Sequence, residues 1–387
     1  MAGGEENIMK KTLSYLLAGV MAAMMLGGCG ASSSGSSSAA ETTAETAAET
    51  EAASSETNAP ETEAETENPA AETEGQGEDS AEAVSVRVGS LKGPTSMGLV
   101  YLMDMDEKGT ASNDYEFTMV TAADELLPQV INGNLDIALV PANVASTLYN
   151  KTQGQISVID INTLGVLYAV SGDSSIKSFS DLKGKTVYMT GKGTTPDYVF
   201  RYLLNANGMA DGDLTLEYKS EAAEVAALLK EQPDAVGILP QPFVTVACTQ
   251  NENLGIVLDL TKEWDSIQTE SGSQLVTGVT VVRNEFLSQH PEAVDSFLTE
   301  HAESVAYVNE NPAQAAELVV KTGIIEKAPI AEKALPYCNI TCITGSEMQA
   351  ALSGYLEVLF DQDPASVGGA LPGDDFYYAE KAILLQE

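Results

Sequence analysis

Residues 182–200 read LKGKTVYMTGKGTTPDYVF and contain two Gly-Lys pairs, Gly184-Lys185 and Gly191-Lys192. A nucleotide-binding loop needs a glycine five residues before its Gly-Lys and a helix directly after it, so that backbone amides wrap a phosphate. Position 179 is Phe179, and Thr186 is followed by Val187, Tyr188 and Met189, which read as a strand. The first pair is therefore a turn into a strand. The second follows that strand and precedes residues 197–205, which read as a helix with Pro196 near its first position. A strand, a glycine-rich loop and a helix N-terminus form a cradle of backbone N–H groups for a ligand, without nucleotide chemistry.

Working outward, the same alternation occurs twice. In residues 84–172, strands at 84–88, 115–120 and 136–140 alternate with helices at 94–103 and 124–132. In residues 173–272, strands at 186–189, 214–218, 235–239 and 255–258 alternate with helices at 197–205 and 221–230. This pattern predicts an α/β protein of two lobes, each a parallel sheet with flanking helices. The long β-like runs 158–170 and 274–282 are expected to cross between the lobes and form a hinge. Residues 273–387 then return to the first lobe with helices at 291–309, 312–321, 330–333, 346–360 and 376–385. Ligands of open α/β sheets bind at the carboxyl ends of the strands. The loops there are 92–96 and 141–143 in the first lobe, and 190–195 and 240–243 in the second.

The N-terminal part is of another kind. Lys10 and Lys11, an apolar run at 13–26 and then Gly27-Gly28-Cys29 form a secretory signal over residues 1–28. The run is too short to span a membrane. Glu5 and Glu6 fit a signal badly and place the translation start at Met9. Residues 29–83 are Ser, Ala, Thr and Glu with almost no large apolar side chain, so they read as a disordered acidic tether. The chain has 19 basic and 57 acidic residues, a net charge of −38; 14 of the acidic residues and no basic ones lie in 30–83, which leaves −24 on residues 84–387. Such a surface repels phosphate backbones and excludes nucleic acid as a partner.

Catalytic and metal chemistry find few candidates. Beyond Cys29 the cysteines are Cys248, Cys338 and Cys342; the last two are spaced to close a disulfide or to remain thiols. They offer too few ligands for zinc, and no metal or cofactor is expected. The two histidines, His290 and His301, read as surface residues of a helix, and no Ser-His-Asp set is available.

As a set, Leu26-Gly27-Gly28-Cys29, the acidic tether, Gly93-Pro94-Thr95-Ser96-Met97-Gly98 after the first strand, Leu182-Lys183-Gly184-Lys185-Thr186 and the segment VGILPQPFV at 236–244 resemble the solute-binding lipoproteins of ABC importers. The branch is the one that binds nitrate, taurine, alkanesulfonates or thiamine precursors. The resemblance implies the type II periplasmic-binding-protein fold: two Rossmann-like lobes joined by two crossing strands, with the ligand cleft between them. It implies lipidation of Cys29, a lipid anchor on the outer face of the bacterial membrane, a monomer, and delivery of a small solute to ABC permease subunits. The ligand-binding residues it implies are Pro94, Thr95, Ser96, Met97 and Asn143 in the first lobe and Thr163 on a crossing strand. In the second lobe they are Gly191, Gly193, Thr194, Thr195, Gln241 and Phe243.

Gln241 stands where relatives often carry an acid, which disfavours a cationic ligand and leaves an anionic or a neutral heteroaromatic one. Lys92 and Lys192 either assist an anion or are solvated. Tyr101, Tyr149, Tyr168, Tyr188 and Trp264 join Phe243 as aromatic residues within reach of a cleft. Two other readings use the same fold: a ligand-loaded sensor or adhesin, and a pyrimidine-precursor synthase like a eukaryotic relative of this branch.

Overall fold

Two β-sheets organise the chain. The computed structural model describes residues 83–379 except residue 270, so Cys29, the signal and all but the last residue of the tether lie outside the described residues. The strands are β1 (Ser85–Leu91), β2 (Asp114–Val120), β3 (Ile137–Pro141), β4 (Ile156–Leu164), β5 (Leu167–Ser171), β6 (Thr186–Met189), β7 (Thr215–Tyr218), β8 (Val236–Pro240), β9 (Gly255–Asp259), β10 (Val276–Arg283) and β11 (Ile340–Ile343). The first sheet has the order β11-β4-β10-β3-β1-β2 and the second β7-β6-β8-β5-β9. β4, with sequence ISVIDINTL, is buried at every position but its last, as expected of a central strand covered on both faces.

The sheets are mixed, which corrects the expectation of parallel ones. β1 runs parallel to β2 and β3, and β6 parallel to β7 and β8. β10, however, is antiparallel to both β3 and β4, and β5 is antiparallel to both β8 and β9. β11 is likewise antiparallel to β4. β5 and β10 are the first strands after the chain passes from one lobe to the other, so no crossover within a single sheet sets their direction.

The passage between lobes is shorter than the run 158–170. β4 ends at Leu164 in the first sheet and β5 begins at Leu167 in the second. Only Gly165 and Val166 lie between them, some residues before the expected lobe boundary at 172/173. A Cβ on Gly165 would stand 2.2 Å from Thr261 Oγ1 and 2.5 Å from Leu275 Cδ2. Leu275 directly precedes β10, so the outgoing and returning segments lie so close that any Cβ at residue 165 would force the Thr261 and Leu275 side chains to move. Asn339 Nδ2 donates to Gly165 O at 2.5 Å and fixes β11 to the same point.

The return strand is also held by charge. Asp136, 2% exposed, receives Arg87 of β1 at 2.6 Å and Arg283 of β10 at 2.8 Å. Burial alone would raise the pKa of this carboxyl. The two guanidiniums outweigh that and hold it below the usual carboxylate range.

Other differences from the sequence reading have local causes. The expected helix 94–103 is two helices, Pro94–Met97 and Val100–Glu107. Helices Ala142–Thr152, Phe243–Gln250 and Leu260–Ile267 start directly behind or close behind strand ends that read as loops. The described part of the expected helix 376–385 is instead the end of a 3-10 turn, Asp374–Phe376, followed by a bridge from Tyr377 to Val158. The long helix Gly345–Gln362 packs against the second lobe as well as the first: Tyr355 lies 5.6 Å from Trp264, and Trp264 4.8 Å from Tyr202.

Two outcomes follow from these contacts. Gly165→Ala should lower the unfolding free energy by about 1–3 kcal/mol, the range for overpacking, in urea titrations. Asp136 has a folded pKa below its unfolded value, so its contribution is complete at neutral pH and is lost as the pH falls through the folded value. Asp136→Asn should therefore destabilise the protein at pH 7 and flatten the dependence of stability on pH below about pH 4.

Candidate functional site

A cavity of about 320 Å³ lies between the sheets. The first lobe supplies Pro141, Asn143 and Val144, and the returning chain supplies Leu275, Thr277 and Tyr355. The passage itself contributes Val166 and Leu167. The second lobe closes the cavity with Met189 and Thr190 at the end of β6, Ile238 and Pro240 on β8, and Thr194, Thr195, Pro196 and Val199 at the start of the helix Thr195–Ala206. The carboxyl ends of β3, β6 and β8 thus converge here, as the topology requires. A larger groove, of about 850 Å³, runs over the first lobe alone beside the helix Pro291–Glu310 and touches no residue of the second.

Of the expected ligand residues, Asn143, Thr194 and Thr195 line the cavity. The others do not. Pro94 opens a short helix and is not among the lining residues. Thr95 and Ser96 turn back on the strand before them, their hydroxyls donating to Leu91 O at 3.1 and 2.5 Å. Met97 is buried in an apolar cluster with Val100 and Val305. Thr163 is buried and donates to Asn162 Oδ1 at 2.9 Å. Gln241 is 2% exposed, its Oε1 accepting from Thr245 Oγ1 at 2.9 Å while Nε2 is buried without a partner. Phe243 is 37% exposed and points outside the lining. Trp264 belongs to the core. Tyr101 stacks on Tyr307 and Tyr149 packs on Phe376, while Lys219 covers the ring of Tyr188. Tyr168 donates its hydroxyl to Tyr337 O at 2.8 Å. The aromatic residue that does line the cavity is Tyr355, for which the sequence around it offers no local signal.

The amide cradle before the helix Thr195–Ala206 is present, with Gly191 and Gly193 in the left-handed region at φ 76° and 68°. It is filled from within. Asp197 Oδ2 accepts from Gly193 N at 2.9 Å, and Thr194 N donates to Gly191 O at 3.0 Å. Asp197 Oδ1 accepts from Arg201 Nε at 2.8 Å and from the Tyr218 hydroxyl at 2.7 Å. A carboxylate of the chain therefore holds one amide of the loop the sequence reading gave to a ligand. Lys192 turns away, its Nζ 5.5 Å from the centre of the Tyr218 ring, and Lys92 is exposed.

His301 corrects the surface reading. It is fully buried, with Nδ1 3.1 Å from Asp160 Oδ2, and Asp160 Oδ1 accepts from Thr280 Oγ1 at 2.8 Å. These contacts tie β4, β10 and the helix Pro291–Glu310 together. Ligand-type atoms of Asp160, His301 and Cys342 lie within 4.8 Å of one another. Cys338 and Cys342 are thiols, not a disulfide, and burial pushes the Cys338 thiol up to about 12.

With this geometry in hand, comparison with known proteins places the fold. Residues 152–315 match the family model described as NMT1/THI5 like. A binding protein of Brucella abortus is 24% identical over 255 residues, covering 64% of this chain and 75% of the relative. The crystal structure of an ABC transporter protein from Parabacteroides distasonis superposes with a TM-score of 0.65 at 23% identity, covering 78% of this chain and 100% of that one. The periplasmic aliphatic sulphonate binding protein SsuA of Escherichia coli gives 0.59 at 16% identity, covering 76% and 96%. Residues 152–315 are thus similar to the NMT1/THI5-like family, and the chain has the fold of these periplasmic binding proteins, with a cavity between two lobes.

Asp197 should be structural rather than solute-binding. Asp197→Ala should cost about 1.5–3 kcal/mol, the range for a hydrogen bond to a charged group, measured by chemical denaturation, with Asp197→Asn falling between.

Proposed function

We propose that the protein is an extracytoplasmic solute-binding lipoprotein, tethered through Cys29, that captures a small organic solute between its lobes and delivers it to an ABC permease. The observation that carries this reading is the interlobe cavity, whose wall is shared by both lobes and by the passage between them. A ligand that touches both walls stabilises the closed arrangement over an open one, and the permease can then distinguish loaded from empty protein. The names of the relatives support the binding role. Among the described residues no helix is long and apolar enough to cross a membrane.

Contacts across the cleft support closure. Tyr198 of the second lobe donates to Asp363 Oδ2, beyond the end of the helix Gly345–Gln362, at 2.8 Å. The Asp363 carboxylate, with some burial, raises the pKa of this phenol. The enzyme reading receives no such support: the lining contains no histidine, cysteine, lysine or carboxylate to serve as base or activated nucleophile.

The test is a native mass spectrum of the full-length chain, purified without denaturation, beside a denatured one. A small molecule lost on denaturation is the expected result, and Thr195→Trp, which fills the cavity, should abolish it while the protein still melts cooperatively. An extra mass that persists in this variant would place the ligand elsewhere. Tyr198→Phe should weaken binding of the same molecule by about 2- to 10-fold, equivalent to one net hydrogen bond, with little change in melting temperature.

A further inference from the structure

The cavity has no charge in its wall, and this narrows what it holds. Valine, leucine, isoleucine, methionine and proline make up most of the lining, and none of the rest is Asp, Glu, Lys, Arg or His. The polar members are four threonines, Asn143 and Tyr355. No cationic side chain lines the cavity, and the cationic groups of the second-lobe loop and helix have partners of their own. Lys192 lies over Tyr218, Arg201 is paired with Asp197 at 2.8 Å, and the amide of Gly193 is bonded to Asp197. Asp197 itself is 4% exposed and holds the Gly193 amide, so that amide of the helix N-terminus is not offered to an anion.

Resting on the solute-binding reading above, we infer that the solute is uncharged and predominantly apolar, with a few hydrogen-bonding atoms. An ion would enter this cavity without a counter-charge and lose its hydration, which an apolar wall does not replace. A neutral molecule finds what it needs. The hydroxyls of Thr190, Thr195, Thr277 and Tyr355 line the space and make no hydrogen bond among the described residues. Asn143 donates its amide to Ser366 O at 3.2 Å and keeps its side-chain oxygen for a ligand N–H. An apolar wall with a few convergent polar groups suits amides, lactams and ring heteroatoms, not sulfonates or carboxylates.

The experiment uses pairs of probes that differ in charge alone: benzamide against benzoate and nicotinamide against nicotinate, titrated into the full-length chain by calorimetry at low and high salt. The amide of each pair should bind at least about 10-fold more tightly than its acid, the ratio should not change with salt, and Thr277→Lys should reverse it. If the acid binds as tightly as the amide or more so, and Thr195→Trp removes that binding, the inference about charge is overturned while the solute-binding reading stands. If neither member of either pair binds, the inference about charge falls and the solute-binding reading stands or falls by the native mass spectrum; if binding survives Thr195→Trp, the cavity is not the site and both fall.

Discussion

Gly165 is the point on which the two-lobed arrangement depends. Two residues carry the chain from one sheet to the other, and a side chain on the first of them would collide with Thr261 and Leu275. That contact holds the outgoing and returning segments together, so the lobes share one axis instead of two independent tethers. The residues that follow, Val166 and Leu167 on the way out and Leu275 and Thr277 on the way back, are also wall of the cavity. A molecule in the cavity therefore touches the segments that any hinge motion must bend. Binding and closure are coupled by adjacency, without a longer path between them.

The sequence showed what local pattern can show. β1, β6 and β8 have short apolar runs flanked by turn residues, and the rule that ligands sit at carboxyl ends of strands pointed to Asn143, Thr194 and Thr195, which line the cavity. The same rule misplaced Thr95 and Ser96, because a hydroxyl beside a strand end has a competing partner in the carbonyl of Leu91, and nothing in the residue string says which partner wins. The run 158–170 reads as one crossing segment interrupted at 162–165, because hydropathy does not record which sheet a residue joins; the break falls at Gly165 and Val166. β11 has four residues and no flanking signal. His301 lies on a helix with acidic neighbours and reads as exposed, yet its partner Asp160 is 141 residues away. Leu275, Thr277 and Tyr355 reach the cavity from the returning chain, where only the fold brings them in.

Asp197 joins the sequence argument to the chemistry. A glycine-rich loop before a helix is built to receive an anion, and here it does so, from its own helix. The carboxylate caps Gly193, pairs with Arg201 and accepts from Tyr218, which leaves the loop rigid and its field satisfied. At larger scale the chain has a net charge of −38, so its surface also disfavours anions before they reach the cleft. The two effects act at different distances, and each is independent of the other. Together with a wall free of charge, they separate this cavity from one designed for oxyanions, although the surrounding fold is the same. What this wall offers is shape, apolar surface and a few hydroxyls.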